Sequence, residues 1–482
     1  MDKSAIRSTK PTATPAGHAI VIGGSIAGLT AAAVLAKHFA QVTVLERDNL
    51  TGDSDFRKGV PQARHPHGLL LRGQLILEQL FPGLVAELID KGAVPVNAGW
   101  EQAFFIFGHW RKPRYRSEIV GTSLSRPLLE GTIYRRLAAH PKVRFMPETE
   151  VIGLCTDAEH KCVRGVRWRP RRQVDGEPNE LMADLVVDAS GRNSHTAQWL
   201  TALGYPAPKE EIINAHPGYA TRIFRIPPRA AGFEWKLMLL LASPATGKRG
   251  GVLFPLEDDR WHVTLLGMAG DYPPTDEDGF WEFARSLPDR ALYEAIKDAE
   301  PLTPVYGYRR AENQLRRFDQ LARQPENFVV TGDAVCALNP VYGQGMSVAV
   351  MASEALDHCL RKQYADPAAQ TLSGLAVRFQ KELVKVVQGP WQMATGQDRL
   401  WLTLEGGDKL DLPTRGIQNY MHAVIKTSLD NTEVAEAFTR VQHMVASPGL
   451  LFGPSVLFPV LKMAVGSSLA RRRGNPELAP QM

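Results

Sequence analysis

Three runs of this 482-residue chain carry residue types that could do chemistry, and each lies where a strand gives way to a turn. The first is His18-Ala-Ile-Val-Ile-Gly23-Gly24-Ser25-Ile26-Ala27-Gly28-Leu29. It reads as an apolar strand, a tight glycine turn and a helix of small residues. Such a junction aims unpaired backbone N–H groups and the positive end of a helix dipole at one point, which suits a pyrophosphate. The next strand, Gln41-Val-Thr-Val-Leu45, delivers Glu46 eighteen positions past Gly28, where an acid suits a ribose hydroxyl. This predicts a bound adenine dinucleotide, and an acid rather than a base there favours an unphosphorylated ribose. The usual pattern is G-x-G-x-x-G, and Ser25 stands in place of the middle glycine. Serine fits there only if its backbone angles stay in an allowed region.

The second run is Val329-Val-Thr-Gly332-Asp333-Ala334, followed by Asn339-Pro-Val-Tyr342-Gly343-Gln344-Gly345-Met346. A strand again carries an acid to its carboxyl end, where ligands collect in open α/β sheets. Asp333 is placed to accept from a polyol hydroxyl. The Gly343–Gly345 loop opens a helix whose N–H groups would stabilise the negative pyrimidine edge of a reduced flavin. The third run, Asp184-Leu-Val-Val-Asp188-Ala-Ser-Gly191, is a buried strand ending in an acid that orders the following turn.

The elements around these runs come from a chain too long for one core, so two lobes and a terminal extension are expected. The 56 basic and 51 acidic residues leave a net charge of +5 spread along the sequence, which does not point to nucleic acid. Cys155, Cys162, Cys336 and Cys359 form no CxxC pair or metal-like cluster and read as reduced thiols of a cytoplasmic protein. No apolar run is long enough to predict a spanning helix. Ser125 with Pro127 marks a helix start. From Tyr219 to Met268 the pattern changes to longer strands separated by turns.

In this order the three runs resemble the FAD-dependent monooxygenases of the aromatic hydroxylase and squalene epoxidase superfamily, over residues 18 to about 360. The stretch Arg64-His65-Pro-His67-Gly-Leu-Leu-Leu-Arg72-Gly is similar to bacterial members that epoxidise polyketide or terpenoid alkenes. The resemblance implies an α/β fold: a Rossmann-like FAD-binding domain with an inserted antiparallel β-sheet substrate domain and a helical C-terminal region. The expected division is a disordered tail (1–17), FAD-binding parts (18–100, 121–200, 316–365), substrate-domain parts (101–120, 201–315) and the helical region (366–482).

It also implies contacts. Gly23, Ser25, Ile26, Ala27 and Gly28 would form the turn at the pyrophosphate. Glu46 would bind the adenosine ribose, Arg47 would lie by the adenine, and Val151 would meet it through backbone. Arg64 and Arg126 would flank the phosphate–ribitol region. Asp333 would bind the ribityl section, and Gly343, Gly345 and Met346 would line the flavin ring. Ser347 stands where many relatives have Asn.

The implied reaction inserts one oxygen atom from O2 into an apolar organic substrate through a flavin hydroperoxide, as alkene epoxidation or aromatic hydroxylation. NADH, NADPH or a flavin reductase partner would supply electrons. This chemistry needs no protein nucleophile, and no catalytic residue is assigned. His65, His67, Cys336 and Tyr342 could act as acid–base groups or covalent flavin links, against a duller role in packing. Rival readings are a reductase of isoprenoid double bonds, a flavin redox sensor, and a halogenase, which is disfavoured because no two tryptophans stand two positions apart. The run Pro448 to Val465, followed by Arg471-Arg472-Arg473, contains three prolines that should forbid a continuous helix. It would dock on the core or rest on a membrane surface.

Overall fold

The computed structural model describes residues 17–50, 56–57, 59–173, 176–365, 371–404 and 411–472. Apart from Gly17, the tail expected at 1–17 lies outside them. A parallel sheet runs in the order Phe328–Val330, Leu185–Asp188, His18–Ile22, Gln41–Leu45, Val143–Met146. Its central stretches Ala19–Ile22 and Leu185–Val187 are apolar throughout because both faces are covered. The helix Ile26–His38, which leaves the glycine turn, packs against the helix Gly345–Ala365. The Thr30 and Ser353 hydroxyls meet at 2.7 Å across that contact. The two junction helices are therefore fastened to one another.

A seven-stranded sheet runs Tyr306–Tyr308, Gly218–Arg225, Arg260–Gly267, Arg249–Leu256, Leu237–Leu240, Gln102–Ile106, His109–Trp110. It is antiparallel except that Leu237–Leu240 pairs parallel with Gln102–Ile106. Alternation along each strand gives the sheet two faces. Phe224, Val263, Leu253 and Met238 pack beneath the helices Glu277–Arg285 and Ala291–Ile296. The other face carries the cross-strand row Thr221, Thr264, Val252, Leu239, Phe104.

Among the described residues four C-terminal helices follow: Leu375–Leu404, Leu412–Ser428, Thr432–Gln442 and Pro454–Arg472. Val424, Phe438, Val456 and Val460 from the last three bury Phe104 and Ile106 of the sheet. The expectation that three prolines forbid a continuous helix from Pro448 to Val465 holds between Phe452 and Pro454 and is corrected only at Pro459. Pro448 begins a 3-10 turn, Pro454 begins a helix, and Pro459 lies inside it. Proline in the first turn lacks a donor the helix does not use, and Pro459 forfeits only the bond to the exposed Ser455. Among the described residues no helix is long and apolar enough to cross a membrane.

Candidate functional site

The glycine turn is built by close backbone approach. A Cβ on Gly28 would lie 1.8 Å from the Gly23 carbonyl oxygen, so no larger residue lets helix and strand meet there. Gly23 has φ +105°, whereas Ser25 has φ −101° and ψ −172°, extended angles that any residue adopts. The serine at the middle position therefore costs no left-handed strain. Its hydroxyl donates to Glu130 Oε1 at 2.5 Å and accepts from Arg126 Nη2 at 2.7 Å. Ile26 is buried, and Ala27 packs on the second turn: a Cβ on Gly332 (φ +63°) would sit 2.6 Å from the Ala27 Cβ.

Glu46 is buried and accepts from the backbone N–H of Gly24 at 2.5 Å and of Asp48 at 2.9 Å, leaving each oxygen a lone pair. The Thr149 N–H bonds the Glu46 carbonyl at 2.9 Å, which holds the strand carrying buried Val151 beside Glu46. Arg47 is exposed, with its guanidinium on the Gly59 carbonyl at 2.8 Å.

Arg126 opens the helix Arg126–Ala138, which Ser125 caps by accepting from Leu128 N at 3.2 Å. Its guanidinium donates to Glu130 at 2.8 Å and to His67 Nε2 at 3.0 Å. Because a guanidinium only donates, His67 Nε2 accepts, and its Nδ1–H donates to the His65 carbonyl at 2.7 Å. Burial and adjacent Arg126 push the His67 pKa well down and keep the ring neutral. Arg57 also pairs with Glu130 and lies 3.6 Å from Glu46, with its Nη1 buried and without a hydrogen-bond partner. Burial opposes ionisation of Glu130, but Arg126, Arg57 and Ser25 outweigh it and hold the carboxyl at about 2. Burial likewise disfavours charged Arg57, yet Glu130 and Glu46 raise its pKa.

Arg64 is not part of this cluster. Its guanidinium stacks 4.3 Å from the Tyr306 ring centroid at the edge of the large sheet, and its carbonyl accepts from His262 Nε2 at 2.9 Å. His65 Nδ1 lies 2.7 Å from the Thr221 hydroxyl, itself 2.5 Å from that of Thr264. Burial, with His262 and Arg64 nearby, lowers His65 to about 3, and burial lowers His262 to about 4.

On the second turn, Asp333 follows the strand Phe328–Val330, and its carboxylate has no hydrogen bond or ion pair among the described residues. Gly343 (φ +65°) touches the Gly68 loop, where a Cβ would lie 3.4 Å from the Gly343 oxygen. A Cβ on Gly345 would meet nothing within 4 Å, so open space lies before the helix that starts there. Met346 is buried behind it. Ser347 accepts from Leu70 N at 3.0 Å and lies against Gly73, where a Cβ would come within 2.7 Å of the Ser347 hydroxyl. Asp188 is fully buried and accepts from Ser190 N, Ser194 and Thr196, which orders its own turn. Cys336 is buried, and burial with nearby Asp333 pushes its thiol pKa up.

The loop before Gly345 is anchored from outside. Asp398, fully buried on the helix Leu375–Leu404, accepts from Tyr342 at 2.5 Å, Asn313 at 2.6 Å and Asn339 at 3.2 Å. Asn339 in turn accepts from the Tyr219 hydroxyl at 2.7 Å. Sequence reasoning missed Arg57, Glu130 and Asp398. The four-residue step from Arg126 to Glu130 on one helix was an available signal, whereas Arg57 and Asp398 meet partners 73 and 56 positions away.

These residues fit FAD. The first turn offers helix N–H groups to a pyrophosphate, and near it Arg57 Nη1, 3.6 Å from Glu46, makes no hydrogen bond among the described residues. The second offers a carboxylate without a partner and an open helix N-terminus.

Residues 21–71 match a family model described as an NAD(P)-binding Rossmann-like domain. Protein Rv3254 of Mycobacterium tuberculosis is 32% identical over 384 residues, 79% of each chain. The FAD-dependent monooxygenase nodM of Hypoxylon pulicicidum is 24% identical over 80% of this chain and 81% of its own. Among solved structures, the flavin-dependent brominase Bmp2 superposes with a TM-score of 0.65 at 14% identity, over 95% of this chain and 100% of its own. With the two-turn site on the fold, these likenesses establish that the chain belongs to the FAD-dependent monooxygenase superfamily.

Proposed function

We propose that the enzyme inserts one oxygen atom from O2 into an apolar organic substrate, by alkene epoxidation or aromatic hydroxylation, with electrons from NADH, NADPH or a reductase partner. One observation carries this reading. On the large sheet, Leu239, Val252 and Phe254 remain partly exposed on the face that also carries Thr264 and His262, opposite the Arg64–His65 loop. An apolar wall on this face suits an apolar guest.

Bound FAD would supply oxygen activation; the chain's own residues hold, orient and exclude water. Arg57, Arg126 and the first glycine turn would hold the pyrophosphate, Glu46 the ribose hydroxyls and Asp333 the ribitol. The N–H groups of Gly345 and Met346 would face the pyrimidine edge. His65, His67 and His262 are held neutral by burial, and burial keeps the Tyr219 and Tyr342 hydroxyls protonated. These groups are neutral and hydrogen-bonded within the chain, and the sheet face beside them is apolar, which suits oxygen transfer better than base-catalysed hydrolysis. Bmp2 is too distant in sequence for its bromination to carry over, and this chain has no Trp-x-Trp segment.

The test is turnover of the FAD-loaded enzyme under 18O2 with candidate alkenes and phenols. Product bearing one labelled atom, with matched oxygen uptake, is expected. A saturated product without oxygen uptake would identify a reductase, and peroxide as the sole product would identify a redox sensor. Halide incorporation would identify a halogenase.

A further inference from the structure

The four most exposed large apolar side chains among the described residues all lie on two C-terminal helices: Leu412 (80%) and Ile417 (57%) on Leu412–Ser428, Phe458 (68%) and Val465 (58%) on Pro454–Arg472. Leu461 is half exposed. Phe458, Leu461, Lys462 and Val465 follow one another at helical spacing, so they share a face. The opposite flank of that helix, Val456 and Val460, is buried against the sheet residues Phe104 and Ile106. One side of the helix is thus core, and the other presents large apolar groups to solvent.

The two helices touch. The Thr427 hydroxyl lies 3.7 Å from Met463 Sδ, and Tyr420 stacks on the exposed Phe452 of the 3-10 turn before the second helix, with ring centroids 4.9 Å apart. Ile417 is one turn before Tyr420, which continues the apolar surface from one helix toward the other.

Charge selects the occupant. Between Leu412 and Leu429 the chain has Arg415 and Lys426 and no acid; between Pro454 and Asn475 it has Lys462, Arg471, Arg472 and Arg473 and no acid. The acids that border the first helix are engaged: Asp411 caps it through Thr414 N, and Asp430 lies 4.0 Å from Lys112. On the intervening helix Thr432–Gln442, Glu436 accepts from Ser117, and the exposed acid Glu433 shares its surface with Arg440. A second copy of this surface would set like charges against each other, whereas an anionic lipid surface complements them.

We propose that the exposed faces of Leu412–Ser428 and Pro454–Arg472 form a peripheral docking surface for anionic membrane, with Phe458, Leu461 and Val465 entering the acyl boundary and Lys462 meeting headgroups. This surface is independent of the oxidation chemistry, because none of its residues touches the candidate flavin site.

The test is sedimentation of the full-length, FAD-loaded enzyme with vesicles of phosphatidylcholine alone or mixed about 2:1 with phosphatidylglycerol. The enzyme should pellet with the mixed vesicles and bind at least about tenfold more weakly to neutral ones or at high salt. The Phe458→Ser/Leu461→Ser variant, and separately Lys462→Glu, should each lose about tenfold in binding, with flavin content and melting temperature unchanged. Absence of vesicle binding, or binding indifferent to both variants, overturns the proposal. So does a dimer in light scattering that the Phe458→Ser/Leu461→Ser variant dissociates while the wild type ignores vesicles; the occupant is then a second copy.

Discussion

The Tyr342 hydroxyl donates to the Asp398 carboxylate at 2.5 Å, tying the loop before helix Gly345–Ala365 to helix Leu375–Leu404. Among the described residues no cation pairs with Asp398, and burial raises its pKa from 3.8 to about 6. The native state thus keeps a proton that the unfolded chain releases between pH about 4 and 6, so this group lowers stability as pH rises through that window. The loss reaches about 3 kcal/mol above pH 6. Asp398→Asn removes the titration. The stability difference, wild type minus variant, should fall across that window when melting is followed against pH. Parallel curves would refute the role.

Glu130 works in the opposite sense. Its pKa is depressed from 4.5 to about 2, so its stabilisation is full above pH 4.5 and disappears as pH falls through 2. Glu130→Gln leaves Arg57 and Arg126 buried without their shared anion and should cost about 3 kcal/mol at pH 7. In urea denaturation the gap to wild type should narrow by roughly half at pH 3.

Two glycines separate folding from cofactor binding. Gly28→Ala forces a Cβ to 1.8 Å from a backbone oxygen and should yield little folded protein. Gly345→Ala meets no atom within 4 Å, so the apoprotein should melt within about 1 °C of wild type. Its methyl would enter the space before the flavin-side helix and weaken FAD binding about tenfold or more, read by fluorescence quenching.

Asp333→Ala deletes a carboxylate that bonds nothing among the described residues. The apoprotein should keep its stability, and FAD should dissociate at least about tenfold more readily. A variant that stays fully yellow through gel filtration would remove Asp333 from the site.

What the sequence made legible follows from local rules. Strand runs, the Gly23–Gly28 turn and the Ser125 cap depend on neighbours a few residues away. Asp188 at its strand end follows the same logic. Arg57 and Asp398 gain meaning only when distant segments meet, as when Asn313, Asn339 and Tyr342 converge on one carboxylate. Pro459 was misread because the rule against proline in helices weakens where the freed carbonyl is exposed. Arg64 and Arg126 read as equivalent basic residues, yet one stacks on Tyr306 and the other binds Ser25.

The hydroxyl contact between Thr30 and Ser353 has a consequence for ligand choice. It makes the distance from the first glycine turn to the second a property of two crossed helices rather than of flexible loops. A fixed distance acts as a gauge of length. With the proposed assignments, FMN, which ends at a single phosphate, would satisfy Asp333 and the N-terminus at Gly345 but would leave Glu46 and Val151 without contact.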